Sequence, residues 1–262
     1  MTNETTNKKK AKKTAEAGAK AEKESGPAGS SSLRLIEKRK HPRFLLTHEQ
    51  FRESKNGKVY TVYDLSVTGL AIKVDHKDWK VGSIIQGILN LHPDSIEISP
   101  RVLGYYGDRV ALKIEALSTY SKSALERALS PRRLGASLQL IREKLPLADY
   151  WFHGVCNTDL LVRLDGNGKV QKADLFFANY YCGWNQTTPG PTTGIIQSFG
   201  TESREPTFLA DEPVKMESIE IDHDVDPDPT KLDWATRIVE ASQIDKKIKG
   251  LLMDRIKKEG TS

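Results

Sequence analysis

Between Arg43 and Leu117 the chain consists of short runs rich in Val, Ile, Leu and Tyr, each closed by Gly, Asp, Asn or Pro. Six can be counted: "RFLLTHEQFRES", "KVYTVYDLS" (Lys58–Ser66), "GLAIKV" (Gly69–Val74), "SIIQGILNLH" (Ser83–His92), "SIEISPRVLGYY" (Ser95–Tyr106) and "DRVALKIEAL" (Asp108–Leu117). Each partly alternates, and short turns such as "SKNG" at Ser54–Gly57 join them. Strands of that kind bury one side and must pair with their neighbours, so the pattern predicts a six-stranded antiparallel β-barrel.

The period then changes. In "STYSKSALERALSP", Ser118 or Thr119 can cap a helix that Pro131 ends. A second helix is expected over "RRLGASLQLIREKL", where Leu134, Leu138, Ile141 and Leu145 fall on one face. After Pro146 strands resume. "YWFHGVCNTDLLVRL" and "KVQKADLFFANYYCGW" read as a hairpin about the turn "DGNG", and "TGIIQSF" (Thr193–Phe199) as a third strand. The stretch 201–230 is acidic and contains Pro, which suits a linker. "KLDWATRIVEASQIDKKIKGLLMDRIKK" then reads as a final amphipathic helix. The expected fold is mainly β with α: the barrel and its helices over 33–145, a small β-rich C-terminal region over 146–210, and a linker with a helix over 211–262.

Residues 1–32 hold almost no apolar side chain larger than Ala. Such a segment cannot offset its ordering entropy, so a disordered Lys/Ala/Glu/Ser-rich tail is expected. No apolar run approaches the ~20 residues of a membrane-spanning helix, and the polar start lacks the apolar stretch of a secretory signal. Two cysteines, Cys156 and Cys182, make no disulfide framework, which points to a reducing cytoplasm. A net charge of +5 from 40 basic and 35 acidic residues is too balanced to imply nucleic acid by itself.

Against that balance, "KRKHPR" (Lys38–Arg43) concentrates four cations just before the first strand. Pro42 holds His41 extended, so Arg39 and Arg43 lie on an irregular lead-in to the barrel. A guanidinium forks onto phosphate, pairs with guanine O6 and N7, and stacks on a base; an ammonium does only the first well. About twenty residues on, "DLSVTG" (Asp64–Gly69) joins two strands. Asp64 can accept from the N1 and N2 donors of guanine, Ser66 adds a short donor and acceptor, and Gly69 permits a tight turn or a close approach. Together these residue types complement a guanine nucleotide.

An Arg-x-x-x-Arg arm followed by Asp-x-Ser-x-x-Gly resembles the signature of the PilZ family, bacterial receptors for cyclic di-GMP, and all of Arg39, Arg43, Asp64, Ser66 and Gly69 are present. The strand pattern of Leu33–Leu117 and the helix after it are similar to that family's barrel and C-terminal helix. The resemblance implies a non-enzymatic second-messenger receptor for cyclic di-GMP, with no cofactor. Arg39 and Arg43 would grip phosphates and guanines, and Asp64, Ser66 and Gly69 would hold a guanine; Lys38 stands where a further phosphate or guanine contact would bias the choice between one ligand and an intercalated pair, a choice the sequence leaves open. Like charges on Lys38, Arg39, Lys40 and Arg43 are expected to keep the arm loose until ligand clamps it. A protein partner, reached through the C-terminal region, is the expected output.

Other groupings say less. In "DHDVDPD" (Asp222–Asp228) a Ca²⁺ loop would need Gly where Pro227 stands and Glu where Asp233 stands. His153, Cys156 and Cys182 lack a fourth zinc ligand, and His153 with Cys156 lacks the third group that orients a catalytic base. The alternative function is a nucleic-acid-associated protein that uses the Lys-rich tail and strand aromatics such as Tyr60, Tyr63, Tyr105 and Tyr106. It would need cations clustered around those rings, whereas the strands are charge-mixed.

Overall fold

Val62, Leu65, Leu70, Ile72, Val110 and Leu112 are all 1% exposed or less, as alternation predicts for a sheet with one dry face. They lie on strands that pair in register, Val62↔Ile72↔Val110 and Leu65↔Leu70↔Leu112. Each buried aliphatic side chain contributes about 1.5–3 kcal/mol, so these two rows alone fix which face points inward. The computed structural model describes residues 41–46, 48–146, 148–188, 190–199 and 219–259, all within the unit Leu35–Ser262. The expected tail at 1–32 lies outside the described residues.

Two of the six expected runs divide. The first becomes β1 (Phe44–Leu45) and β2 (Gln50–Glu53), both paired antiparallel with β3 (Val59–Ser66). The corner between them is bridged by Leu46 N–H to Tyr63 O at 3.0 Å and Val62 N–H to Glu49 O at 2.9 Å. β4 (Gly69–Lys73) and β5 (Gly87–Leu91) follow. The fifth run breaks at Ser99–Pro100, where proline has no N–H for a ladder, and yields β6 (Asp94–Ile98) and β7 (Arg101–Tyr106) before β8 (Arg109–Lys113). The result is an eight-stranded antiparallel sheet of order β6-β5-β2-β3-β4-β8-β7 with β1 also on β3. In place of the expected closed six-stranded barrel, this order is a path rather than a ring. Its ends are tied by the irregular segment before β5: Gly82 N–H to Val102 O, Val102 N–H to Ser83 O and an Ile84–Arg101 bridge.

Helix α1 (Thr119–Ala128) is capped by Ser118, whose side chain accepts from Ser121 N–H. It lays Ala124, Leu125 and Ala128 against the sheet. The expected second helix stops early. α2 (Pro131–Ala136), capped by Ser130, gives way to strand β9 (Gln139–Glu143). Leu134 and Leu138 are buried as a helical face would have them, but Ile141 is 52% exposed because its segment pairs with β10 (Tyr150–Gly154) instead. The ladder to β10 overrides the local helical pattern.

The expected hairpin proves to be four strands. β10 turns through a single 3₁₀ turn (Val155–Asn157) into β11 (Thr158–Leu164), and β12 (Val170–Phe177) turns at Ala178 into β13 (Tyr180–Asn185). Positive φ at Cys156, Asn157 and Ala178 makes these reversals without glycine. β14 (Pro191–Phe199) follows, and β15 (Ile219–His223) lies in the stretch expected to be linker. The second sheet runs β15-β14-β13-β12-β11-β10-β9; β9 precedes the expected boundary at 146 and β15 lies beyond the one at 210.

The single C-terminal helix is two, α3 (Pro229–Ala241) and α4 (Lys246–Glu259). The Asp245 side chain starts the second by accepting from Lys247 and Ile248 N–H. Phe177, Cys182 and Trp184 on the second sheet share one core with Ile238 and Val239 of α3, with Leu134, and with Phe44 and Leu65 of the first sheet. Gly135 lets α2 cross α3 closely: a Cβ there would stand 2.1 Å from Ile238 O. Lys231, 4% exposed, is satisfied by both oxygens of Asp224 at 2.7 and 2.9 Å and lies 5.3 Å from the Tyr180 ring.

Candidate functional site

β3 and β4 meet in the two-residue turn of "DLSVTG", and the register Ser66↔Gly69 fixes where each motif residue points. Leu65 faces the core. Asp64, one position earlier, faces outward. Ser66 is 3% exposed, and its hydroxyl donates to Gly69 O at 3.1 Å while accepting from Thr68 N–H at 3.3 Å. The structure thus places Ser66 as the closure of the turn. Gly69 answers to packing: a Cβ there would lie 2.7 Å from Leu112 O on β8.

The arm reaches the same place through β1. Phe44 sits opposite Leu65 and Leu45 opposite Asp64, so Arg43 leaves the sheet on the Asp64 side. Its Nη1 donates to Asp64 Oδ1 at 2.8 Å, an ion pair with side chains 30% and 15% exposed. Arg43 is therefore held, where charge repulsion along the arm led one to expect a loose side chain. Its main chain is held too: Arg43 N–H points to Asn179 Oδ1 at 3.4 Å. The structure brings Arg43, Asp64, Ser66 and Gly69 together; Arg39 and Lys38 lie outside the described residues.

Across the sheet from Asp64 the register runs through Ala71 and Ala111 to Gly104. Small side chains thus form one row across this floor of the sheet, with the Tyr106 side chain lying beside Gly104. The Arg109 guanidinium lies 3.4 Å from the Tyr63 ring centre, a cation–π contact at the floor's border. This floor went unread in the sequence, although its signal, small residues alternating with large ones in "GLAIK" and "RVALK", was available. Asn179 had no local signal at all, because it comes from the other sheet, 136 positions away.

Among the described residues, the thiols and imidazole considered for metal or nucleophilic chemistry form no cluster of three or more metal-ligating side chains. His153 Nδ1 is 2.7 Å from Asp159 Oδ1, which also accepts from Trp151 Nε1. Cys156 and Cys182 are buried. Desolvation pushes the Cys156 thiol up to about 12, with Glu49 adding to it. Burial likewise pushes Cys182 up; Lys231 opposes this, and Asp224 and Asp228 reinforce it. Asp224 is engaged with Lys231 and Thr193, and Asp228 caps α3. No helix among the described residues is long and apolar enough to cross a membrane.

The described site is thus an antiparallel sheet whose hairpin carboxylate, Asp64, meets Arg43 of the arm. Residues 37–130 match the family model of the PilZ domain. Two solved structures are similar. The Bacillus subtilis inhibitor of motility (MotI/DgrA) is 17% identical with a TM-score of 0.32, over 35% of this chain and 49% of that one. The PilZ domain of CeSA from a cellulose-synthesizing bacterium is 13% identical with a TM-score of 0.25, over 33% of this chain and 87% of that one. The chain thus spans about half the length of the MotI/DgrA chain. No curated protein matches it.

Proposed function

We propose that this protein is a non-enzymatic cytoplasmic receptor for cyclic di-GMP that passes its ligand state to a protein partner through the region after residue 146. Arg39 and Arg43 take the phosphates, Asp64 takes the N1 and N2 donors of a guanine, Ser66 and Gly69 hold the hairpin that presents Asp64, and Lys38 adds a cation beside the arm. The observation that carries this reading is the Arg43–Asp64 pair at 2.8 Å, inside the PilZ segment and on an outward sheet face.

That pair is an obstacle a dianionic ligand can overcome. A partly exposed ion pair is worth about 0–1 kcal/mol, whereas a charge-assisted bond to phosphate contributes about 1.5–3 kcal/mol. Arg43 can turn to phosphate and leave Asp64 to the base, so both partners gain a contact they satisfy only jointly beforehand. With Arg43 already in place, the clamp on binding consists of bringing Lys38–Lys40 over the ligand.

Calorimetry of the whole chain with cyclic di-GMP, GTP and single-stranded RNA tests the reading. Micromolar or tighter binding of cyclic di-GMP alone, with the nucleotide recovered intact, is the expected result. No heat at high micromolar cyclic di-GMP overturns it, and tighter binding of RNA would favour a nucleic-acid role instead.

A further inference from the structure

Asn179 belongs to the second sheet, beyond the matched PilZ segment, yet it touches the arm. It follows Ala178 in the two-residue turn between β12 and β13, closed by the pair Phe177↔Tyr180. Ala178 takes φ 51 there, a conformation that costs a residue with a Cβ about 1 kcal/mol or more and persists only where the surroundings enforce it. The turn is enforced from two sides. Ile196 N–H of β14 donates to Asn179 O at 2.9 Å, and Phe177, fully buried, stacks on Trp234 of α3 with centroids 6.2 Å apart and planes within 6°. Trp234 in turn meets the Phe44 ring at 5.9 Å. Phe44 is the residue after Arg43.

Arg43 is thus fixed at three points: its guanidinium by Asp64, its N–H by the Asn179 side chain, and its C-terminal neighbour by Trp234. The first belongs to the PilZ sheet and the other two to the second region. We propose that Asn179 is a positioning residue of the nucleotide site: by accepting from Arg43 N–H it sets the point from which the guanidinium reaches phosphate, so the site is completed by the second sheet. This inference rests on the receptor reading above. Its physical content is that the arm cannot shift onto ligand without either keeping or surrendering a bond to the β12–β13 turn, which gives the second region direct access to ligand occupancy.

The test compares cyclic di-GMP affinity and amide hydrogen exchange in five full-length chains: wild type, Asn179→Ala, Asn179→Asp, Arg43→Ala and the double variant of the two alanine substitutions. At 3.4 Å the bond is long, so Asn179→Ala should weaken binding about two- to fivefold, the low range for one net hydrogen bond. In the Arg43→Ala background it should cost nothing further, because a residue that acts through the Arg43 side chain has nothing left to position. Without ligand, Asn179→Ala should speed exchange of the Arg43 amide and leave the Ile196 amide protected, since Ile196 bonds to the Asn179 main chain. Asn179→Asp keeps an acceptor and should keep Arg43 protected. Unchanged affinity in Asn179→Ala, multiplying losses in the double variant, or loss of protection at Ile196 as well would each overturn the role of Asn179 while wild type still binds. Failure of wild type to bind removes the receptor reading and this inference together.

Discussion

Arg43 and Asp64 share one hydrogen bond, and their substitutions should differ in a way that separates phosphate from base. Arg43→Ala removes a charge-assisted fork and should weaken cyclic di-GMP about ten- to a hundredfold, less whatever the freed Asp64 returns. The same loss is expected for the adenine analogue, because phosphates do not report the base. Asp64→Ala should weaken the guanine ligand more than the adenine one, since only guanine offers N1–H and N2–H donors. Parallel titrations of both nucleotides check this, and equal losses with Asp64→Ala would reduce that carboxylate to an anchor for Arg43. At this scale the meeting of Arg43 with Asp64, Ser66 and Gly69 was legible because three of them sit on one hairpin and the fourth on the arm that leads to it. Their division of labour was not. That Ser66 turns its hydroxyl onto Gly69 O, and that Gly69 is needed by Leu112 O as much as by any ligand, depends on burial and on the β8 neighbour.

The elements were read well where a single stretch sets its own period and poorly where a neighbour decides. α1 has its Ser118 cap and a buried stripe, and it forms as expected. The stretch 132–145 has equally good helical spacing but forms only α2, since β10 offers Gln139–Glu143 a ladder. The run 150–164 hides a reversal at Cys156 and Asn157, both at positive φ, where the residues in that conformation are not glycines. Gly135 was unremarkable in the sequence and turns out to be the contact point of α2 and α3. Gly135→Ala would drive a methyl into the Ile238 carbonyl, which is backbone and cannot rotate away. The expected outcome is a loss of about 1–3 kcal/mol, the range for overpacking, read as a lower urea midpoint with an unchanged slope. An unchanged midpoint would mean that α2 and α3 can separate at no cost.

For the whole molecule the sequence suggested successive modules, whereas Phe44, Leu65, Leu134, Phe177 and Ile238 share one core. That continuity was illegible because it is made of contacts between faces, each of which satisfies an ordinary alternation rule on its own. It also shields groups that titrate at alkaline pH. Cys156, raised from 9.0 to about 12 by burial, holds its proton in the fold and loses it more readily when unfolded; Cys182 is shifted in the same direction. The stability that these protonated thiols carry is full below about pH 9 and declines as pH rises toward 12. Urea midpoints should hold from pH 8 to about 9 and fall above it, and replacing both cysteines with Ala should flatten the decline. The same two sulfurs act as a clock. Each is inert to an alkylating reagent while closed and reactive once the turn or strand that holds it opens, so the rate of labelling, read by mass and compared with and without cyclic di-GMP, times how often the second sheet breathes and whether that nucleotide slows it.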